Sequence, residues 1–224
     1  MNELLTQDTK IKQLKFVFMF SWLKPSAFLV CLVPLGQLAY RAYNADLGAN
    51  PIDTITRFTG SWALIFLLAS LAVTPLRRIT GWNELIKFRR MLGLYAFSYA
   101  LLHFSTFVGL DHFFDLNRIA KDIVKRPYVT AGFTAFVMMI PLALTSSARM
   151  IRRLGKRWQQ LHRLVYLAAI AGVIHFYWLV KADISRPVQY GIVLTLLLSY
   201  RLLVKWSSFF ATRLILKALT APSR

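Results

Sequence analysis

Six long runs of apolar residues, separated by short polar segments, dominate the chain. They cover about residues 21–40, 59–76, 91–110, 129–145, 161–180 and 188–204. Each run approaches the roughly 20 residues that an α-helix needs to cross the hydrocarbon core of a bilayer. The pattern therefore predicts an all-α, six-helix transmembrane bundle over residues 21–204, with a tail at 1–20 and another at 205–224.

The composition of this 224-residue chain supports lipid as its surroundings. Hydrophobic residues make up 57% of the sequence, the mean hydropathy is +0.50, and 17% of the residues are charged. A typical soluble domain has about 25% charged residues. Because a soluble fold of this size could not bury so much apolar surface, we predict a polytopic protein in contact with membrane lipid.

The net charge of +19 is distributed as a membrane topology signal. Eighteen Lys and Arg residues lie in the two tails and in the loops after the second and fourth apolar runs, with Lys24 at the start of the first run counted with the tail, whereas eight lie in the other three loops. Cationic residues that collect between apolar runs, rather than on one face of a compact domain, argue against nucleic acid as a partner. The asymmetry predicts that both termini are cytoplasmic.

Two histidines lie at matching depths in the third and fifth predicted spans. His103 follows Arg90 by 13 residues, and His175 follows Arg163 by 12 residues. At 1.5 Å per residue, these separations are about 20 Å and 18 Å from the cytoplasmic ends of the spans. Two neutral imidazoles at one level on facing helices can supply both axial ligands of a haem iron, which suits electron transfer. The alternative is a pair of histidines hydrogen-bonded to neighbouring helices.

The other two histidines carry weaker patterns. His162 precedes His175 by 13 residues, about 20 Å along a helix, which is enough to stack a second haem below the first. In an ideal straight helix, however, the two side chains are about 140° apart, and the matching level of span three holds Arg90 beside Arg89. The alternative for His162 is an interfacial residue among basic neighbours. We expect His112 to be a solvated loop residue.

Arginine and aromatic residues near the ends of the spans have two interpretations each. Arg89, Arg90 and Arg163 anchor the topology, or they pair with haem propionates or with the phosphate of a flavin. Tyr177 and Trp178 belong to an interfacial aromatic belt, or they flank the edge of a porphyrin.

The segments KFRRMLGLYAFSYALLHF and LGKRWQQLHRLVYLAAIAGVIHFYW resemble the ferric-reductase-like transmembrane family, and in particular its short bacterial branch. The similarity extends over essentially the whole chain. It implies haem b bound by His103 and His175, with His162 matching a further family histidine proposed for a second haem. It also implies that Arg89 lies near the inner cofactor site and that a flavin, FMN, associates with the protein.

The role implied by the resemblance is that of an electron-transfer subunit rather than a catalytic subunit. Electrons would pass from the quinone pool or a cytosolic flavoprotein to a periplasmic molybdopterin enzyme that reduces methionine sulfoxide in oxidised proteins. Larger relatives place two histidines on each haem helix and end in a flavin and nicotinamide module. We identify no Gly-rich dinucleotide unit in this sequence, so we expect the donor to be a quinol or another protein.

Two other functions fit parts of the sequence. The first is the cytochrome b anchor of another respiratory complex, against which the span number and the two motifs count. The second is a proton-coupled transporter that uses histidines as relays, which predicts acidic residues inside the spans. All nine Asp and Glu residues lie in predicted tails or loops, and this distribution favours haem.

Overall fold

The structure is a computed structural model that describes the backbone of residues 2–180 and 183–219, and the side chains of residues 22–180 and 183–207. Within these ranges the chain forms helices and no strand. The α-helices are α1 (Asn2–Tyr43), α2 (Pro51–Thr80), α3 (Ile86–Thr106), α4 (Leu116–Lys125), α5 (Pro127–Leu144), α6 (Ala148–Leu154), α7 (Lys156–Leu161), α8 (Leu164–Leu179) and α9 (Ser185–Leu219).

Six helical segments of the described chain are long and apolar enough to cross a membrane. They are Trp22–Tyr43, Pro51–Thr80, Asn83–Asp111, Pro127–Leu144, Lys156–Leu179 and Ser185–Ser207. The predicted all-α fold with six spans is therefore confirmed. Most of the tail lysines and arginines that entered the charge count lie outside the residues whose side chains are described, so the orientation remains a prediction.

The chain divides into two compact units, residues 1–58 and 59–224. In the first unit, α2 begins at Pro51, eight residues before the predicted start of the span at residue 59. Local interactions explain the earlier start, because the side chain of Asn50 accepts a hydrogen bond from the backbone N–H of Asp53 at 3.2 Å. Asp53 also pairs with Arg57 one turn later at 2.7 Å. These polar residues extend the helix beyond its apolar stretch.

In the second unit, α5 packs against both α8 and α3. Ala96 of α3 and the adjacent Ala168 and Ala169 of α8 are fully buried. Small residues at such positions let helix backbones approach closely. The rings of Phe104 and Phe136 stack between α3 and α5 with their centroids 4.8 Å apart. Close packing of this kind fixes the three helices relative to one another.

The segment between α3 and α5 contains a helix, α4, that the apolar pattern did not predict. Its N-cap is Asp115, whose carboxylate accepts hydrogen bonds from the backbone N–H groups of Asn117 at 3.0 Å and Arg118 at 3.1 Å. The helix has ten residues, many of them charged, so it falls below the length and hydropathy of a membrane span. A polar cap, rather than an apolar run, specifies it.

The interpretation of His112 as a solvated loop residue is wrong. Its side chain is only 8% exposed. Nδ1 donates to the carbonyl oxygen of Phe107 at 3.0 Å, and Nε2 lies 3.1 Å from a carboxylate oxygen of Asp122. Phe107 begins a π-helical turn, Phe107–Asp111, in which the ring finds this carbonyl. Asp122 also pairs with Arg126 at 3.1 Å, so His112 joins a buried charge-assisted network.

Replacing His112 by Ala should lower the free energy of unfolding by about 1–3 kcal/mol, because the change removes two hydrogen bonds of a buried side chain, one of them to the carboxylate of Asp122. The measurement is the unfolding of the purified protein in detergent. Asp111→Asn is the control. The carboxylate of Asp111 is exposed and lies farther from the ring than that of Asp122, at 3.4 Å from Nδ1 of His112, so its loss should change the stability less. Equal stability of His112→Ala and the parent protein would contradict the assigned network.

Candidate cofactor-binding site

The structure brings together the two histidines that the depth argument paired. His103 of α3 and His175 of α8 have ring centroids 6.0 Å apart and ring planes inclined at 73°. A bond from an imidazole nitrogen to a metal ion is about 2 Å long. Two nitrogens that bind one ion from opposite sides are therefore about 4 Å apart, with the ring centres further out at each end. The observed separation fits two imidazoles that bind one metal ion between them.

A hydrogen bond fixes the orientation of one of the two rings. Nδ1 of His175 donates to the backbone carbonyl of Tyr128 at 2.6 Å. Because this nitrogen holds the proton, Nε2 keeps the lone pair that binds a metal. The hydroxyl of Tyr128 accepts a hydrogen bond at 3.3 Å from Arg126, which lies just before the membrane-spanning segment. This bond is the main cause of a raised pKa of Arg126, with a smaller contribution from the carboxylate of Asp122.

Each ring also lies against a glycine of a neighbouring helix. A Cβ atom on Gly60 of α2 would lie 2.9 Å from the ring of His103, and one on Gly132 of α5 would lie 2.7 Å from the ring of His175. Because the two glycines have no side chain, the imidazoles can occupy this space. The apolar runs, the charge distribution and the histidine spacing gave no role to either glycine.

Amino-acid side chains alone do not complete a metal site here. In residues 22–180 and 183–207, no group of three or more His, Cys, Asp or Glu side chains is placed to hold a metal ion. Two imidazoles supply only two ligands. An ion held between them would need further ligands from outside these side chains, and a planar macrocycle such as haem could supply them.

His162 lies apart from this pair and has different partners. Its Nε2 is 3.1 Å from the hydroxyl of Thr145, and that hydroxyl donates its own proton to the carbonyl of Pro141 at 2.6 Å. Nε2 must therefore be the donor to Thr145, which leaves the lone pair on Nδ1. The indole of Trp158 stacks on the ring with a centroid distance of 4.0 Å.

The helix around His162 also differs from the prediction. The fifth predicted span, 161–180, is broken at residues 162–163, because α7 ends at Leu161 and α8 begins at Leu164. The estimate of 140° between the side chains of His162 and His175 assumed one straight helix, so it does not apply. The break places His162 in a turn at the N-terminal end of α8.

Two arginines meet at one tyrosine near this end of the helices. The guanidinium of Arg89 in α3 lies near the hydroxyl of Tyr166 in α8. Arg201 of α9 donates to the same hydroxyl at 2.7 Å and to the carbonyl of Leu71 at 2.6 Å. The buried Nε of Arg201 has no hydrogen-bond partner among the described residues. Two partly buried cations that share a phenol form a site suited to an anionic group.

Arg201 is a residue that the sequence analysis missed. The charge count considered tails and loops, whereas Arg201 lies inside the sixth predicted span, 188–204. An isolated arginine in an apolar helix was the available signal, because an ionisable side chain at that depth is costly without a function or a partner.

The other predicted cofactor residues have different surroundings from Arg89. Arg90 is exposed and reaches the carbonyl of Ser146 at 3.5 Å, and Arg163 is also exposed. Tyr177 and Trp178 line an apolar groove between α8 and α9 with a volume of about 500 Å³. Roles in cofactor binding remain predictions for these four side chains.

Comparison with known proteins agrees with this arrangement. Residues 59–173 match the family described as ferric reductase like transmembrane component, which is about half of the chain. The matched segment contains Gly60, His103 and Gly132, and it ends two residues before His175. No solved structure matches.

Three relatives carry the name protein-methionine-sulfoxide reductase heme-binding subunit MsrQ. The protein of Herminiimonas arsenicoxydans is 52% identical over 187 residues, covering 82% of this chain and 86% of the relative. The Rhodospirillum rubrum protein is 52% identical, covering 79% and 86%, and that of Azospira oryzae is 51% identical, covering 81% and 78%. The chain therefore belongs to the ferric reductase-like transmembrane family and, within it, to the MsrQ family.

Proposed function

We propose that this chain is the haem-binding, electron-transferring membrane subunit of a protein-methionine-sulfoxide reductase system. The observation that carries the proposal is the 6.0 Å separation between the rings of His103 and His175 in a pair of apolar helices. The names of the relatives add support, because they describe heme-binding subunits of such a reductase.

In this proposal, His103 and His175 are the axial ligands of a haem b. The backbone carbonyl of Tyr128 holds the proton on Nδ1 of His175, and so keeps Nε2 of that ring as the ligand nitrogen. When bound, the haem supplies a one-electron carrier, and two strong axial ligands leave it no open position for oxygen. The helices supply its fixed position, its apolar surroundings and thus part of its reduction potential.

The second cluster is proposed as the cytoplasmic half of the electron path. Arg89 and Arg201, joined by the hydroxyl of Tyr166, offer hydrogen-bond donors to an anion such as a haem propionate or the phosphate of FMN. His162 is the candidate ligand of a second haem. To serve as a ligand through Nε2, it would have to release Thr145.

We place the protein in the bacterial inner membrane with both termini in the cytoplasm. The excess of lysine and arginine in the tails and in two of the loops supports this orientation. It puts the His103–His175 pair in the periplasmic half of the bilayer. Electrons would then enter from a quinol or a cytosolic flavin reductase and leave to a periplasmic molybdopterin methionine sulfoxide reductase, MsrP.

Purified parent protein should be red and should show the sharp bands of low-spin, six-coordinate haem on reduction. His103→Ala and His175→Ala should each abolish these bands, because one axial ligand is lost in each variant. Free imidazole should restore them in His103→Gly. His112→Ala is the control, since it removes a histidine outside the pair. A colourless parent protein from haem-replete cells would exclude the proposal and favour the transporter alternative.

His162→Ala should retain the bands of the histidine pair and should lose any haem above one per chain. The physical reason is that His162 shares no contact with the rings of His103 and His175. Haem per polypeptide is measured by the pyridine haemochrome, with flavin quantified in the same sample. Loss of all the bands in this variant would contradict the assignment of the ligands.

Electron delivery can be followed directly in the parent protein. The reduced protein should be reoxidised completely by a catalytic amount of the periplasmic molybdopterin reductase together with an excess of a methionine sulfoxide peptide. The peptide alone should not reoxidise it, and the enzyme alone should accept only as many electrons as its molybdenum centre can store. Reoxidation is measured as the decay of the reduced bands under anaerobic conditions. If the bands persist with both components present, this acceptor is wrong, whereas the haem assignment is unaffected.

A further inference from the structure

We infer that Gly60 and Gly132 are positioning residues for the two imidazoles. By carrying no side chain, they let α2 and α5 close on His103 and His175 and so hold the two rings in position. The inference rests on the proposed haem-binding function and concerns two residues for which sequence reasoning gave no role.

The contact at His103 shows how closely the glycine approaches the ring. A Cβ atom on Gly60 would lie 2.9 Å from both Nδ1 and Cε1 of His103 and 3.5 Å from Cγ. The backbone of α2 at Gly60 therefore lies directly against the imidazole, with no room for a methyl group between them.

The contact at His175 is of the same kind and tighter. A Cβ atom on Gly132 would lie 2.7 Å from Nδ1, 2.9 Å from Cε1 and 3.0 Å from Cγ of His175. Nδ1 also donates the 2.6 Å hydrogen bond to Tyr128, which lies one helical turn before Gly132 on α5. The ring is thus held by a hydrogen bond and by a close backbone surface, both from α5.

The two pairs repeat along the chain with equal spacing. Gly60 precedes His103 by 43 residues, and Gly132 precedes His175 by 43 residues. Each pair joins a glycine on one apolar helix to a histidine on another. Two separate pairs of helices therefore each place an imidazole ring against a glycine backbone. The repetition indicates that the site requires a residue without a side chain at both positions.

Two glycines on the helices that carry the histidines, α3 and α8, make no such close contact with an imidazole. A Cβ atom on Gly93 of α3 would meet nothing within 4 Å, and one on Gly172 of α8 would meet only Cδ1 of Leu64, at 3.6 Å. The first position is open, and the second would be an ordinary van der Waals contact. Gly93→Ala and Gly172→Ala are therefore matched controls on the two helices that carry the ligands.

An alanine at position 60 or 132 must displace the ring that it meets, because Cβ contacts below 3.0 Å are essentially never tolerated. A ligand group has to stay within about 0.5 Å of its productive position to function. The displaced imidazole would leave its metal-binding position while its helix remains folded. The proposed role thus predicts weaker ligation without loss of the fold.

The experiment compares Gly60→Ala, Gly132→Ala and the two control variants in the full chain purified with its haem. We expect both site variants to lose most of the low-spin six-coordinate spectrum and to bind carbon monoxide when reduced, with Gly132→Ala the more affected. The controls should keep the parent spectrum and bind none. If the parent protein shows the six-coordinate spectrum and both site variants match it, the inference is overturned and the proposed function stands. A parent protein without haem overturns both.

A second measurement covers the case in which a site variant does not fold. Gly132→Ala is combined with His175→Ala, and Gly60→Ala with His103→Ala, so that the added methyl group no longer meets a ring. Each double variant should recover the elution profile and thermal stability of the corresponding histidine single variant. If the defect persists without the ring, the glycine acts through some other contact and the inference is wrong.

Discussion

The close approach of two imidazoles inside an apolar bundle is the constraint on which the second unit of this protein depends. Each ring brings two nitrogens into a region where an unsatisfied polar atom is costly. For His175, the carbonyl of Tyr128 satisfies Nδ1, and Nε2 is left for a ligand. The glycines, the buried alanines of α3 and α8, and the stacked phenylalanines all serve to keep the helices close enough for this arrangement.

The two ends of α3 and α8 solve the problem of buried polar groups in different ways. At the C-terminal end of α8, the carbonyl of Tyr128 satisfies Nδ1 of His175, and the proposed haem would bind through the histidine pair. At the N-terminal ends, His162, Thr145 and Trp158 form a hydrogen-bonded and stacked cluster within the protein itself. Arg201 and Tyr166 hold α8 and α9 to each other there. The cationic side chain of Arg201 suits an anionic group, whereas the histidine pair suits a metal.

The number of spans and the pairing of His103 with His175 followed from the sequence, because both depend on simple lengths along a helix. The burial of His112 did not, since it depends on a π-helical turn that offers a carbonyl to the ring. The break at His162 was missed for the same reason, as apolar periodicity does not reveal a local departure from helical geometry. The roles of Gly60 and Gly132 could not be predicted from the sequence, because they depend on contacts with histidines that lie 43 residues further along the chain, on other helices.

Tyr128 takes part in two kinds of contact at once. Its carbonyl oxygen accepts a hydrogen bond from Nδ1 of His175, while its hydroxyl accepts one from Arg126, which pairs with Asp122 of α4. One residue therefore links this pair of charges to the imidazole of His175. A change in those charges that moved Tyr128 would also alter the hydrogen bond on which the donor strength of this imidazole depends.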